Sequence, residues 1–193
     1  MLGLKLATDP RWVNIVEKDI AEILTDHAWC EQKAASNAIS LTVHFPDHTE
    51  LVNSMIELAQ EELSHFKMVV DKLTKRGLKL GHQRKDKYVN DLLYFIRKGG
   101  DKKTVLLDKL LFAAMIEARS CERFRILSEN ISDEDLKTFY RDLMASEAGH
   151  YNLFISLARQ YLPREIVDKR WNEFLEYEAK IMSKYGKAVG MHG

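Results

Sequence analysis

The chain has 193 residues and carries 29 Lys and Arg against 29 Asp and Glu, so its formal net charge is zero. With 46% hydrophobic and 30% charged residues, it is a globular protein and not a disordered or fibrous one. It has no apolar run of about 18 residues and no signal-peptide pattern at its start, so we expect a cytoplasmic protein without a membrane segment. Two cysteines, Cys30 and Cys121, are too few for a disulfide framework or a zinc site.

Apolar residues recur every three or four positions, and the three prolines lie where helices would begin or end. This pattern predicts long helices at residues 13–42, from Pro46 to Gly77, at 102–128, from Ser132 onward, and from Pro163 to Tyr185. A short helix is predicted at 88–96, in the connection between the second and third long helices. We therefore expect an all-α fold in one domain, residues 1–193: a four-helix bundle with a crossover connection between two helical hairpins and an added C-terminal helix.

Six acidic or imidazole side chains occupy helix positions where the period requires core residues. They are Glu31, Glu62, His65, Glu117, Glu147 and His150. A buried carboxylate costs several kcal/mol unless it is paired or bound to a metal. Four carboxylates on inward faces therefore require a cation.

The six positions form a repeat. Glu31 lies 31 residues before the ExxH motif at 62–65, Glu117 lies 30 residues before the ExxH motif at 147–150, and the halves are offset by 86 and 85 residues. Residues i and i+3 share a helix face, so each motif presents an oxygen and a nitrogen to one point. This is the ligand set of ferritin-like dimetal proteins, and its hard donors suit iron or manganese better than zinc. The alternative is a salt-linked polar core, which the lack of Arg or Lys on the same stripes disfavours.

Other polar residues lie close to these positions in the sequence. His27, one turn before Glu31, either supports that ligand, is an extra ligand, or is a core histidine, which is the commoner case. Packing is also the commoner role for the remaining cysteines and tyrosines, although a tyrosine radical is an alternative. These residues are Cys30, Cys121, Tyr140 and Tyr151. Acids expected to point outward or to support ligands, and arginines that balance them, are Glu61, Glu122, Arg119, Arg123 and Arg125.

The sequence around the ligands, at residues 26–35, 61–66, 116–124 and 146–151, resembles the bacterial tRNA hydroxylases of the MiaE type. The resemblance extends over about residues 4–185. It implies a ferritin-like non-haem di-iron enzyme in which the six residues named above are the catalytic iron ligands. It also implies hydroxylation of the isopentenyl group of 2-methylthio-N6-isopentenyladenosine, next to the anticodon, with dioxygen and an external electron donor.

A basic segment, residues 72–103, offers a check on an RNA substrate. It has eleven Lys and Arg against three Asp, a net charge of +8, which leaves −8 on the rest of the chain. Such a segment could bind RNA phosphates, and Tyr88, Tyr94 and Phe95 within it could stack on an exposed base. The alternative is a solvated, mobile loop.

Three other functions are compatible with the same ligands. Iron oxidation and storage requires a large hollow shell, whereas we expect a monomer or small homo-oligomer. A rubrerythrin-like peroxide-removing protein commonly carries a four-thiolate iron site, which two cysteines cannot form. A non-enzymatic helical scaffold leaves the buried acids without a purpose.

Overall fold

The computed structural model describes residues 2–185 and 190–192. Over these residues the chain forms a 3-10 turn at Pro10–Trp12, seven α-helices and no strand. The described residues form two compact units, a smaller unit of residues 18–85 and 190–191 and a larger unit of residues 2–17, 86–185 and 192. The helices are α1 Val13–Val16, α2 Ile20–His44, α3 Thr49–Lys75, α4 Lys87–Leu93, α5 Lys102–Asn130, α6 Glu134–Tyr161 and α7 Arg164–Tyr185.

The smaller unit is a hairpin of α2 and α3. The Asp19 side chain accepts a hydrogen bond from the Glu22 N–H, which caps the start of α2. After α3, Gly77 has a φ of +70°, a left-handed conformation that glycine adopts without strain and that commonly ends a helix. The hairpin is held by apolar residues with almost no solvent exposure, which recur at helical spacing: Leu24, Ala28, Ala38, Leu41, Leu51, Met55, Leu58, Val69 and Leu73.

The larger unit is built on a second hairpin, α5 and α6. The side chains of Asp101 and Asp133 cap these helices by accepting from Thr104 N and Leu136 N. Helix α5 is buried on nearly every side along residues 106–128, because α6 covers one face and α4, α7 and α1 contact others. This helix therefore presents polar groups to several neighbours at once.

The predicted helix at 13–42 is wrong as a continuous element. The chain leaves helical geometry at residues 17–19 and starts again at Ile20. The Glu17 carboxylate accepts from Ser132 N at 2.7 Å, and Asp19 becomes a cap, so local hydrogen bonds replace the helix there although the apolar period continues. The other long helices are confirmed with small shifts at their ends, and the short helix ends at Leu93.

The all-α class predicted from the sequence is confirmed over the described residues, whereas the single domain over 1–193 stays a prediction. None of the helices that the structure describes combines the length and the hydropathy needed to cross a membrane.

Candidate metal centre

Three predicted ligands meet within the smaller unit. Glu31 comes from α2, and Glu62 and His65 come from one face of α3. One ligand atom from each lies within 4.8 Å of the others. His65 Nδ1 is 3.8 Å from Glu31 Oε2 and 3.8 Å from Glu62 Oε2. All three side chains are buried, so this first triad is a compact group of two carboxylates and one imidazole.

His27 supports the first triad from one turn upstream on α2. Its Nε2 is 2.5 Å from Glu31 Oε1, and its ring has no solvent exposure. Because this contact holds one oxygen of Glu31, the other oxygen is directed toward His65. The position matches the ligand-supporting role considered from the sequence.

Charge is distributed unevenly in the first triad. Burial by itself raises the pKa of Glu31, but its hydrogen bonds with His27 and His65 outweigh burial and hold that pKa well below its usual range. Burial by itself lowers the pKa of His65, yet Glu31 and Glu62 raise it to about 10. At neutral pH the Glu31 carboxylate is therefore ionised and His65 carries a proton, which a metal ion has to displace.

The other three predicted ligands meet within the larger unit. Glu117 comes from α5, and Glu147 and His150 come from one face of α6. One ligand atom from each lies within 4.8 Å of the others, and His150 Nδ1 is 3.7 Å from Glu147 Oε1. These side chains are buried as well. The second triad therefore has the same composition as the first, as the sequence repeat predicts.

The donor sets of both triads fit a transition-metal ion. Metal bonds of about 2.0–2.2 Å allow two ligand atoms on one ion to be at most about 4.4 Å apart. The measured separations of 3.7 and 3.8 Å lie within that range. Each triad combines two hard carboxylate donors with one imidazole, a set that suits iron or manganese.

The cysteines and tyrosines that lie close to the proposed ligands in the sequence are mostly engaged in packing. The Cys121 Sγ contacts Met144 O at 3.4 Å, and burial raises the pKa of this thiol to about 11, so it is protonated at neutral pH. The Tyr140 ring has no exposure and packs against Phe124 and Phe139. In the larger unit, the half-buried Tyr151 lies against Trp171, and in the smaller unit Cys30 is half-buried and Glu61 is exposed.

The larger unit also contains a buried charge network that was not predicted from the sequence. The Arg119 guanidinium, with no exposure, donates to Glu178 Oε1 at 2.6 Å and to Glu122 Oε2 at 2.9 Å. Glu122 also accepts from Thr8 N and Oγ1, each at 2.8 Å, so it points inward and the outward orientation is wrong. Tyr88 donates to Glu178 at 3.3 Å. Glu178 breaks the apolar stripe of α7, a signal that could have revealed the network.

The two other arginines of α5 differ from Arg119 and from each other. Arg123 is buried with its guanidinium 4.1 Å from the centre of the Trp12 ring, and burial together with Arg119 lowers its pKa to about 10. Arg125 pairs with Glu129 on the helix surface at 2.9 Å. Arg123 therefore contributes to packing in the core, and Arg125 to charge pairing on the surface.

The basic segment is only partly available to a partner. In the smaller unit Arg84 pairs with Glu22 at 2.7 Å, and in the larger unit Arg97 pairs with the buried Asp108 at 2.6 Å. The predicted base-stacking role of Tyr88 is wrong, because its ring is 1% exposed and stacks on His192. Phe95 is also engaged in ring contacts inside the unit. Tyr94 alone of the three aromatics keeps an exposed ring.

The two carboxylate–imidazole triads, each on a helical hairpin, are compatible with a metal centre, and the fold is that of the ferritin-like class. The chain belongs to the family described as tRNA-(MS[2]IO[6]A)-hydroxylase (MiaE), which it matches over residues 2–193. The fold class is supported by a solved structure, "Protein 43 with aldehyde deformylating oxygenase activity" from Synechococcus. It is similar with a TM-score of 0.92 and 36% identity over 98% of this chain and 95% of that one.

Two curated relatives carry the name tRNA 2-(methylsulfanyl)-N(6)-isopentenyladenosine(37) hydroxylase. The one from Pseudomonas putida is 40% identical over 154 residues, which cover 80% of this chain and 74% of the relative. The one from Salmonella typhimurium is 38% identical over 143 residues, 74% of this chain and 52% of the relative, so the match spans about half of that protein. The family membership predicted from the local sequence is therefore confirmed.

Proposed function

We propose that this protein is a di-iron monooxygenase that hydroxylates the isopentenyl group of 2-methylthio-N6-isopentenyladenosine next to the anticodon of tRNA. The observation that carries the proposal is the match to the tRNA hydroxylase family over residues 2–193, in a chain that retains both carboxylate–imidazole triads. The names of both relatives specify this nucleoside and this reaction. A cytoplasmic location follows from the proposed substrate.

We further propose that the two triads provide the ligands of two iron ions, one imidazole to each ion. The sequence repeat, the equal composition of the triads and the hard donors support this assignment. Bound ferrous iron would supply the reactivity toward dioxygen that hydroxylation of an unactivated carbon requires. One oxygen atom of O2 enters the product and the other leaves as water, so two electrons and two protons come from an external donor.

The residues of this chain have separate tasks in that reaction. Glu31 and Glu117 contribute ligand oxygens from α2 and α5, and the ExxH motifs contribute the rest from α3 and α6. His27 fixes one oxygen of Glu31 and so sets the direction of the other. Fully buried apolar neighbours on the same helices, among them Leu24 and Ala28, keep water away from the ligands.

The proposal is tested with the iron-loaded protein, a reductant, dioxygen and tRNA that carries the prenylated nucleoside. Mass spectrometry of the digested tRNA should show a gain of one oxygen atom on that nucleoside. Glu147→Ala should lose iron and activity while remaining helical. The matched control is Glu134→Ala, which removes an acid from the exposed first turn of the same helix and should keep both. Unchanged tRNA with the wild-type protein would refute the reaction, and full iron in Glu147→Ala would refute the ligand assignment.

The similarity to the Synechococcus protein favours a second candidate, oxygen-dependent deformylation of an aldehyde. The same iron-loaded preparation should therefore be given an aldehyde in place of tRNA. Loss of the aldehyde in the presence of reductant and dioxygen, without any reaction of prenylated tRNA, would favour that candidate. Iron storage is distinguished by sedimentation, since it requires a large shell whereas we expect a monomer or small oligomer.

A further inference from the structure

Two adjacent aromatic residues after α4 point in opposite directions. The Phe95 ring stacks on Tyr177 with 4.4 Å between centroids and meets Phe174 edge-on at 4.9 Å. Tyr94, the preceding residue, is 73% exposed. A single exposed apolar side chain is ordinary on a protein surface, so Tyr94 calls for a function only if its surroundings do.

The backbone that carries Tyr94 is braced on its C-terminal side. The Asp108 carboxylate has no exposure and accepts from the Arg97 backbone N–H at 2.8 Å and from the Arg97 guanidinium at 2.6 and 3.0 Å. Arg170 donates to the same carboxylate and to Phe95 O at 2.9 Å, and its guanidinium lies 4.3 Å from the centre of the Phe95 ring. The backbone from which the Tyr94 side chain projects is therefore held in place before any partner binds, which lowers the entropy lost on binding.

The stretch of sequence that contains Tyr94 carries a net positive charge. Four exposed lysines lie within residues 87–103 and have no ion pair within the described part of the chain: Lys87, Lys98, Lys102 and Lys103. The two acids of this stretch, and Asp86 just before it, each accept a hydrogen bond from the protein, in helix caps or from a tyrosine hydroxyl: Asp86, Asp91 and Asp101. An exposed aromatic ring among unpaired cations is the combination that binds single-stranded nucleic acid.

We propose that Tyr94 is a stacking platform for an unpaired base in the loop of the RNA substrate, and that the lysines flanking it bind the neighbouring phosphates. The proposal rests on the proposed tRNA hydroxylase function and assigns a positioning residue to it. Stacking needs only the flat face that every base presents, so the platform adds affinity without selecting a sequence. Tyr94 holds the RNA while a different nucleotide reacts.

The test compares Tyr94→Ala and Tyr94→Phe in the iron-loaded protein. Binding of a fluorescent anticodon stem-loop is measured by anisotropy, and kcat and KM are measured with prenylated tRNA. Loss of one stacked base should raise Kd and KM by about 5- to 150-fold in Tyr94→Ala and leave kcat unchanged. Tyr94→Phe keeps the ring and should stay within about twofold of wild type. The matched control is Val43→Ala, since Val43 is 71% exposed on α2 and should have no effect.

Three outcomes would overturn the platform. The first is equal RNA affinity in wild type and Tyr94→Ala. The second is an equal loss of RNA affinity in the Ala and Phe variants. The third is a Tyr94→Ala variant that binds RNA normally but needs a higher concentration of electron donor for activity. The last result would assign this surface to a protein donor. If the wild-type protein binds the stem-loop in a Tyr94-dependent way but never hydroxylates prenylated tRNA, the proposed reaction fails and the platform stands.

Discussion

Replacing Asp108 by Asn should destabilise the larger unit strongly, although the two side chains have nearly the same shape. The substitution removes the anion that faces Arg170 and Arg97. The Arg170 side chain is only 11% exposed, and breaking a buried ion pair by removing one partner costs about 3–5 kcal/mol. Arg97 is 45% exposed, so water screens its share. Because Arg170 keeps a second partner, Glu173, we expect about 3 kcal/mol.

Thermal unfolding followed by circular dichroism measures this loss. In a chain of this size each kcal/mol lowers the unfolding midpoint by about 2–4 °C, so Asp108→Asn should unfold about 6–12 °C below wild type. The matched control is Asp168→Asn, which removes a carboxylate that also pairs with two arginines, Arg159 and Arg164, but is 40% exposed. That exposed cluster should contribute at most about 1 kcal/mol.

The difference in unfolding midpoint between wild type and Asp108→Asn should also depend on pH. Burial raises the pKa of Asp108, but hydrogen bonds from Arg97 and Arg170 outweigh burial and lower it below the usual value. A carboxyl group with a lowered pKa in the folded state stabilises the protein above its unfolded pKa of about 4 and loses that contribution as the pH falls further. The difference in unfolding midpoint between the two proteins should therefore be largest near neutral pH. Equal midpoints at pH 7, or a gap that widens in acid, would refute the reasoning.

Three further predictions concern the metal centre and its surroundings. Because His65 has a pKa of about 10, ferrous iron must displace its proton, and the affinity should fall about tenfold for each pH unit between pH 9 and 6. Calorimetry in buffers of different ionisation enthalpy measures this proton release, and an affinity independent of pH would contradict it. Arg119→Met should lower the free energy of unfolding in urea by about 3–5 kcal/mol, because Glu178 and Glu122 lose their cation. Adding Glu178→Gln should restore part of the loss, and no recovery would count against the pairing. Cys121→Ala should keep full iron and activity, since the thiol is protonated and packs in the core; iron loss on metal analysis would show that Cys121 is a ligand.

The clustering of the six proposed ligands was predictable because two independent signals coincided in the sequence. Acidic residues interrupted apolar stripes, and the interruptions recurred with a histidine at i+3 in both halves of a repeat. The first signal alone does not identify a metal site. Glu178 interrupts the stripe of α7, and Asp108 is buried on α5 in the same manner, yet both are neutralised by arginines. The imidazole and the repeat distinguish a metal site from an ion pair.

The arginine partners were not predictable, because they are far away along the chain. Arg119 and Glu178 are 59 residues apart, and Arg170 and Asp108 are 62 residues apart. Helical periodicity reports which face of a helix is buried, but it does not report which helix covers that face. For the same reason the sequence could not show that Tyr88 is buried and that Tyr94 is exposed, six residues apart in one basic segment.

The contact between His27 and Glu31 makes the two halves of the repeat chemically unequal. Ala113 occupies the corresponding place before Glu117, one turn upstream, and an alanine side chain cannot hold a carboxylate oxygen. A histidine that holds a carboxylate oxygen changes how strongly that carboxylate binds a metal, and only the first half of the repeat has a histidine at this position. Stepwise addition of ferrous iron to the empty protein should therefore fill one position ahead of the other, and the titration should show two successive steps.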